Sequence, residues 1–249
     1  MKQRVRFTKL GKIRFLSHRD LARIWERSLR RSGVRAAYSE GFSPRPKLSF
    51  GLALSTGYES LGEYLDIDLA DEIDPADLPG IVTPSLPAGM GAQVAIAIPP
   101  GTDSLQQAVT SCRWQLEVVG PEPAAVADRV ASVLALEELP TTVERKGSEQ
   151  AVDARPAILA LEPATDASAL VGATPLRPST VLIAELATQP RSLRPAELLR
   201  ALDPTWVEGR TLRTHQWTLV DGARCEPIPF EDLGTGGATS TPHAGMRAS

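Results

Sequence analysis

Cysteine is nearly absent from this chain of 249 residues. It has two, Cys112 and Cys225, too far apart for any pair motif, which excludes a disulfide framework and fits a reducing compartment. An iron–sulfur cluster held by this chain alone is excluded as well, because a cluster with an open iron still needs three closely spaced thiolates. Histidine is almost as scarce: His18, His215 and His243 are scattered and compose no ligand set. Long apolar runs are missing, and none approaches the roughly 18 residues that cross a bilayer. MKQRVRFTKLGK at the start lacks the apolar core of a secretory leader, so a soluble, cytoplasmic protein is the expectation. Aromatics are sparse, and lysine supplies only five of the 27 basic residues. Arginine therefore carries the positive charge, and with abundant Ala and Pro this reads as a GC-rich coding bias that supplies some arginines without a contact for each.

What the chain does have is charge asymmetry. Residues 1–50 hold fourteen Lys/Arg against three Asp/Glu, a net +11, so with −3 overall the remaining 199 residues carry −14. A basic head on an acidic body is the footprint of a phosphate-bearing ligand or an acidic partner surface.

Element signals are clear in the head. RVRFTKL (4–10) alternates charged and apolar residues as a half-buried strand does. A helix follows, with Ser17 as N-cap, Asp20 completing a capping-box spacing, Leu16 and Leu21 at the staple positions and Gly33 as the stop. Leu48–Leu54 and EYLDIDL (63–69) read as strands separated by the turn STGYESLG. A short helix begins at Asp74 and Pro75, and AQVAIAI (92–98) reads as a buried strand. The order is β-α-β-β-α-β, the split pattern of a ferredoxin-like unit. A second run of the same order starts at CRWQLEVVG (112–120) and ends at EGRTLRTHQWTLV (208–220), with one extra hairpin strand and a Pro/Ala/Ser/Thr-rich loop over about 163–179. The expectation is an α+β protein of two ferredoxin-like units in tandem, residues 1–108 and 109–233, with a disordered C-terminal tail at 234–249.

The candidate site is the basic head. Arg19, Arg23, Arg27 and Arg31 recur every four residues and line one helix face, with Arg30 extending the band; Asp20 and Glu26 relieve only part of their repulsion. Arg4, Arg6, Lys12 and Arg14 precede this helix, and Arg45 and Lys47 follow it. In GFSPRPK (41–47), Pro44 and Pro46 hold Arg45 extended, and Phe42 offers either a face for a base or a core anchor. Arg145, Lys146, Arg155, Arg210, Arg213 and His215 stand in the acidic half, placed to pair with local acids or to converge with the head.

Two stretches, GKIRFLSHRDLARIWERSLRRSG (11–33) and YSEGFSPRPKLSFGLALSTGYES (38–60), carry a resemblance to the radical-SAM-associated family of unknown function. Weaker matches run through EYLDIDL, KG…VDARP and LRPAELLRAL to EGRTLRT. The resemblance implies a free-standing form of a domain otherwise found C-terminal to cobalamin-binding radical-SAM proteins. With it comes an accessory role, often encoded near ribonuclease and ribosomal genes. It brings no catalytic residues, and any cluster or cobalamin would belong to the partner enzyme; no cofactor is expected on this chain.

Other chemistry is thin. His18-Arg19-Asp20-Leu21 mimics a kinase catalytic loop, but Trp25 stands where the metal-holding Asn is needed. Asp66 and Asp68 share a strand face and offer a carboxylate pair, with solvation as the bland alternative. The expected function is a non-catalytic module presenting RNA, or another phosphate-bearing substrate, to a separate radical-SAM enzyme. The alternatives are a docking subunit of that enzyme without nucleic-acid contact, and a metal-independent ribonuclease with His18 working near Tyr38 or Tyr58.

Overall fold

The computed structural model describes residues 1–145, 147–164 and 179–228. The expected tail, Lys146, His243 and most of the expected 163–179 loop lie outside them. The N-terminal elements are β1 (Lys2–Lys9), a 3-10 turn at Gly11–Phe15, α1 (His18–Arg31), β2 (Leu48–Phe50), β3 (Glu59–Asp68), α2 (Leu78–Val82) and β4 (Met90–Ala97). The C-terminal elements are α3 (Leu105–Ala108), β5 (Val109–Val119), α4 (Pro123–Leu134), β6 (Pro140–Arg145), β7 (Ser148–Asp153), β8 (Ile158–Pro163), β9 (Ser179–Ala187), α5 (Pro195–Leu202), β10 (Val207–Val220) and β11 (Ala223–Cys225).

The architecture is mixed α+β, with few helices on a large mixed sheet. That sheet has nine strands in the order β4-β1-β3-β10-β5-β9-β8, with β2 added to β3 and β11 to β10; β6 and β7 form a separate hairpin. All pairings in the main sheet are antiparallel except the joint between its halves, where β10 runs parallel to β3 through Leu212↔Glu59 and Arg213↔Ser60. The outer edge of β3 is thus divided: residues 65–67 take β2, and residues 59–60 take β10.

Period-2 alternation explains which face is covered. Val5 and Phe7 of β1 and Leu65 and Ile67 of β3 point into a core with Leu21, Trp25 and Leu29 of α1 and Leu78 and Val82 of α2. Cys112, Trp114, Leu116 and Val118 of β5 do the same beneath α4 and α5. Trp25 meets Phe7 edge to face at 5.1 Å between ring centres and is fully buried. Trp25→Ala is therefore expected to cost about 3–5 kcal/mol, read as a lower denaturant midpoint at unchanged slope.

Several expected boundaries shift. The helix expected from Asp74 begins at Leu78, and the strand expected from Cys112 begins at Val109. The strand expected as buried at 92–98 is a half-exposed edge strand. The strand expected to start at Glu63 begins at Glu59, so ESLG belongs to β3 rather than to a turn. The strand expected over 48–54 stops at Phe50, and the chain then leaves the sheet as the 51–58 loop, whose Leu52, Leu54 and Tyr58 pack on the C-terminal core.

Candidate anion-binding face

The first helix ends where its capping chemistry says it should. Ser17 accepts from the Asp20 N–H at 3.2 Å, and its hydroxyl donates to the Asp20 carboxylate at 2.7 Å. That hydroxyl, then the Arg23 charge, holds the Asp20 carboxyl below the usual carboxylate range. At the other end Gly33 adopts φ +75°, the Val34 N–H donates to the Leu29 carbonyl at 2.9 Å, and the Gly33 N–H reaches the Arg30 carbonyl. This is a Schellman stop, which needs a left-handed residue at that position.

With both ends set, the arginine face follows from helix geometry. At about 100° per residue, Arg19, Arg30, Arg23, Arg27 and Arg31 fall within about 120° of arc, centred opposite the buried stripe of Leu21, Trp25, Ser28 and Leu29. All five are exposed. Arg30 and Arg31 complement the partial negative charge of the helix C-terminus, but Arg19 in the first turn opposes the positive one. Each like-charged pair four residues apart costs about 0.2–0.5 kcal/mol. The placement therefore works slightly against helix stability.

The flanking segments extend the face at both ends. Beside the N-terminal end, the 3-10 turn carries exposed Lys12 and half-buried Arg14, which lies 4.6 Å from the ring centre of exposed Phe15 and 3.9 Å from Glu59. Beyond the C-terminal end, the chain doubles back: Tyr38 bridges to Pro46, the Ser39 N–H donates to the Arg45 carbonyl at 2.8 Å, and the Arg45 N–H donates to Ser39 Oγ at 3.1 Å. This closes 39–45 into a small projecting loop. Gly41 sits at φ +117° and Phe42 stands at its tip, 110% exposed, with Arg45 and Lys47 also exposed. Phe42 is thus not a core anchor. A groove of about 390 Å³ between Leu29, Arg30, Tyr38 and Pro46 joins this loop to α1.

Arg4 and Arg6 do not belong to the face. Both project from the opposite side of β1 and are buried, at 5% and 3% exposure. Arg4 makes a two-pronged pair with Asp66, at 2.7 and 3.1 Å. Arg6 donates to Gln93 at 2.8 Å and lies 3.6 Å from Glu226. Asp66 is therefore a buried ion-pair partner and not a solvated carboxylate. No group of three or more His, Cys, Asp or Glu side chains among the described residues is placed to hold a metal ion.

The remaining expected groups divide differently. His18 packs edge to face on Phe50 at 5.0 Å, while Tyr58 packs edge to face on Trp114 at 5.9 Å, so the two are engaged on different neighbours. Arg155 donates to the carbonyls of Leu134, Leu136 and Ile158. Arg210 and Arg213 do not reach the head but pair with carboxylates of β3: Arg210 clamps Glu59 at 2.9 and 2.5 Å, and Arg213 pairs with Glu63 at 3.2 and 2.5 Å. His215 stacks on Trp217, and Arg224 lies 4.0 Å over that same ring.

An α+β protein with a mixed sheet and an outward arginine helix is the class these observations define. The chain belongs to the family described as "Uncharacterized protein conserved in bacteria (DUF2344)", whose model matches residues 2–195, from β1 to the first residue of α5. No curated protein matches it. No helix among the described residues is long and apolar enough to cross a membrane.

Proposed function

We propose that this protein is a non-catalytic binding module that holds RNA on the arginine face of α1 and the 39–47 loop and presents it to a separate radical-SAM enzyme. One contrast supports the reading. Buried Arg4, Arg6 and Arg213 each meet a carboxylate, and so does half-buried Arg210. Exposed Arg19, Arg27, Arg30, Arg31, Lys12, Arg45 and Lys47 have no carboxylate at ion-pair distance among the described residues, and Arg23 meets only Asp20, at 3.4 Å. The chain has 30 acidic residues, so the face is open by placement and not for want of partners. Phe42 adds a stacking surface for an unpaired base.

The radical-SAM partner comes from the resemblance of residues 11–33 and 38–60. The same reading takes each half as a ferredoxin-like unit. Its support is the strand order β4-β1-β3-β2 in one half and β10-β5-β9-β8 in the other, each with two helices crossing the covered face.

Fluorescence polarisation with a labelled single-stranded RNA tests the proposal. Five phosphate contacts give a slope of about −3.5 in log affinity against log salt, or about a 100-fold loss between 50 and 200 mM. A flat salt response, or no binding at 50 mM, overturns it; co-purification of the enzyme with no RNA then favours a docking subunit.

A further inference from the structure

The two halves of the sheet meet beside a cleft whose floor includes Arg213 and Cys112, with Glu63 and Lys9 buried behind Arg213. Lys9, Glu63 and Arg213 lie on the covered face at the β1–β3–β10 junction, and all three are buried. Arg213 pairs with Glu63 and donates to the Leu52 carbonyl at 3.0 Å. Burial works against its charge, but the Glu63 carboxylate opposes that and its pKa lies above the ordinary arginine value. Burial pushes the Cys112 thiol up to about 11, so it stands protonated beside Arg213. Lys9 donates to the carbonyls of Arg14 and Leu16, both at 3.3 Å.

Above this floor is a hollow of about 430 Å³, inside the range of roughly 300–1,000 Å³ typical of small-molecule sites. Tyr58, Trp114, Leu186 and Leu193 line its inner wall. The 51–58 loop closes one side and the 188–194 loop the other, bringing Arg191 and Arg194 to the mouth, both exposed. Arg194 has Glu197 at 3.9 Å, while Arg191 has no ion-pair partner among the described residues. Stability does not account for the floor, because replacing a buried ion pair with apolar side chains is commonly neutral or favourable. The order of charges is informative: compensated and aromatic within, cationic at the rim. A ligand fitting that order has a flat, uncharged, hydrogen-bonding body and an anionic end.

We propose that this cleft binds a nucleoside monophosphate, with the base against the Tyr58–Trp114 wall and the phosphate on Arg191 and Arg194. The site is separate from the α1 face and stands whether or not that face binds RNA. The two are neighbours, since the Gly57 N–H of the cleft loop donates to the Arg14 carbonyl at 2.7 Å.

Titration calorimetry of the full chain with AMP, GMP, CMP, UMP and orthophosphate tests it. At least one nucleotide is expected to bind tenfold or more tightly than orthophosphate. Arg191→Ala, at an exposed position, is expected to weaken that nucleotide tenfold or more. Ala53→Trp, also at an exposed lining position, is expected to abolish the preference for nucleotide over orthophosphate by filling the hollow. Arg23→Glu with Arg27→Glu is expected to leave mononucleotide affinity unchanged. The proposal fails if no nucleotide binds at millimolar concentration, if orthophosphate binds equally well, or if Arg191→Ala and Ala53→Trp retain the nucleotide, whatever the helix variant does. RNA binding that survives any of these failures leaves the α1 face standing on its own.

Discussion

Arg23→Glu combined with Arg27→Glu is expected to lower RNA affinity by about two orders of magnitude or more at 100 mM salt. Hydrogen bonds to charged groups contribute roughly 1.5–3 kcal/mol each, and two are replaced here by repulsion in the middle of the arc. The salt slope should become shallower too, by about 0.7 for each phosphate that the variant no longer neutralises. The fold is not expected to suffer. Both side chains are exposed, and each new glutamate stands four residues from an arginine, Arg19 or Arg31, which offsets the lost Arg23–Asp20 pair and the repulsion between the two glutamates. Circular dichroism and a thermal melt unchanged within a degree or two, alongside abolished binding, would place the effect at the interface. Affinity retained to within threefold would remove α1 from the binding surface.

Glu63→Gln carries the largest expected stability effect outside the apolar core. Glu63 is 6% exposed and Arg213 1%, and their charges are balanced in place. Gln keeps the shape and removes the charge, leaving Arg213 and Lys9 facing one another without a carboxylate between them. Breaking one side of such a pair costs about 3–5 kcal/mol. For a chain of this size that is a melting temperature lower by about 6–20 °C. Glu63→Leu with Arg213→Met removes both charges and is expected to recover most of the loss. A Glu63→Gln melt within 2 °C of the parent would show the pair to be solvated and the cleft floor open to water.

These two sites were unequally legible in the sequence. The helix could be bounded in advance because its start and stop are local chemistry: Ser17 with Asp20 at one end and Gly33 at the other. Its exposed face followed from the same periodicity that placed Trp25 and Leu29 inward. Arg4 and Arg6 misled because an alternating strand reads as half-buried, with charge outward. In the fold their side is covered, by Asp66 of β3 and by Glu226 more than two hundred residues along the chain. The start of β3 was hidden for a similar reason. Ser55–Gly62 has the composition of a turn, and its strand character at Glu59 and Ser60 is set by pairing with Leu212 and Arg213 of β10. The cleft had no local signal at all. Cys112, Leu186 and Arg213 come from three separate strands, and Tyr58 and Arg191 from two loops, so only the assembled sheet brings them together.

The position of β10 bears on how the chain is made. It is the last long strand in the described sequence, yet it lies in the middle of the sheet, between β3 and β5. During synthesis β5 leaves the ribosome with one edge bare and β3 with residues 59–60 of its outer edge bare, and each waits until residues 207–220 have emerged. Unpaired edges of this kind recruit other strands, including those of sister chains. A nascent chain stalled or nicked ahead of Val207 is accordingly the species most prone to aggregate, and the one for which a chaperone holding β3 and β5 apart would matter most.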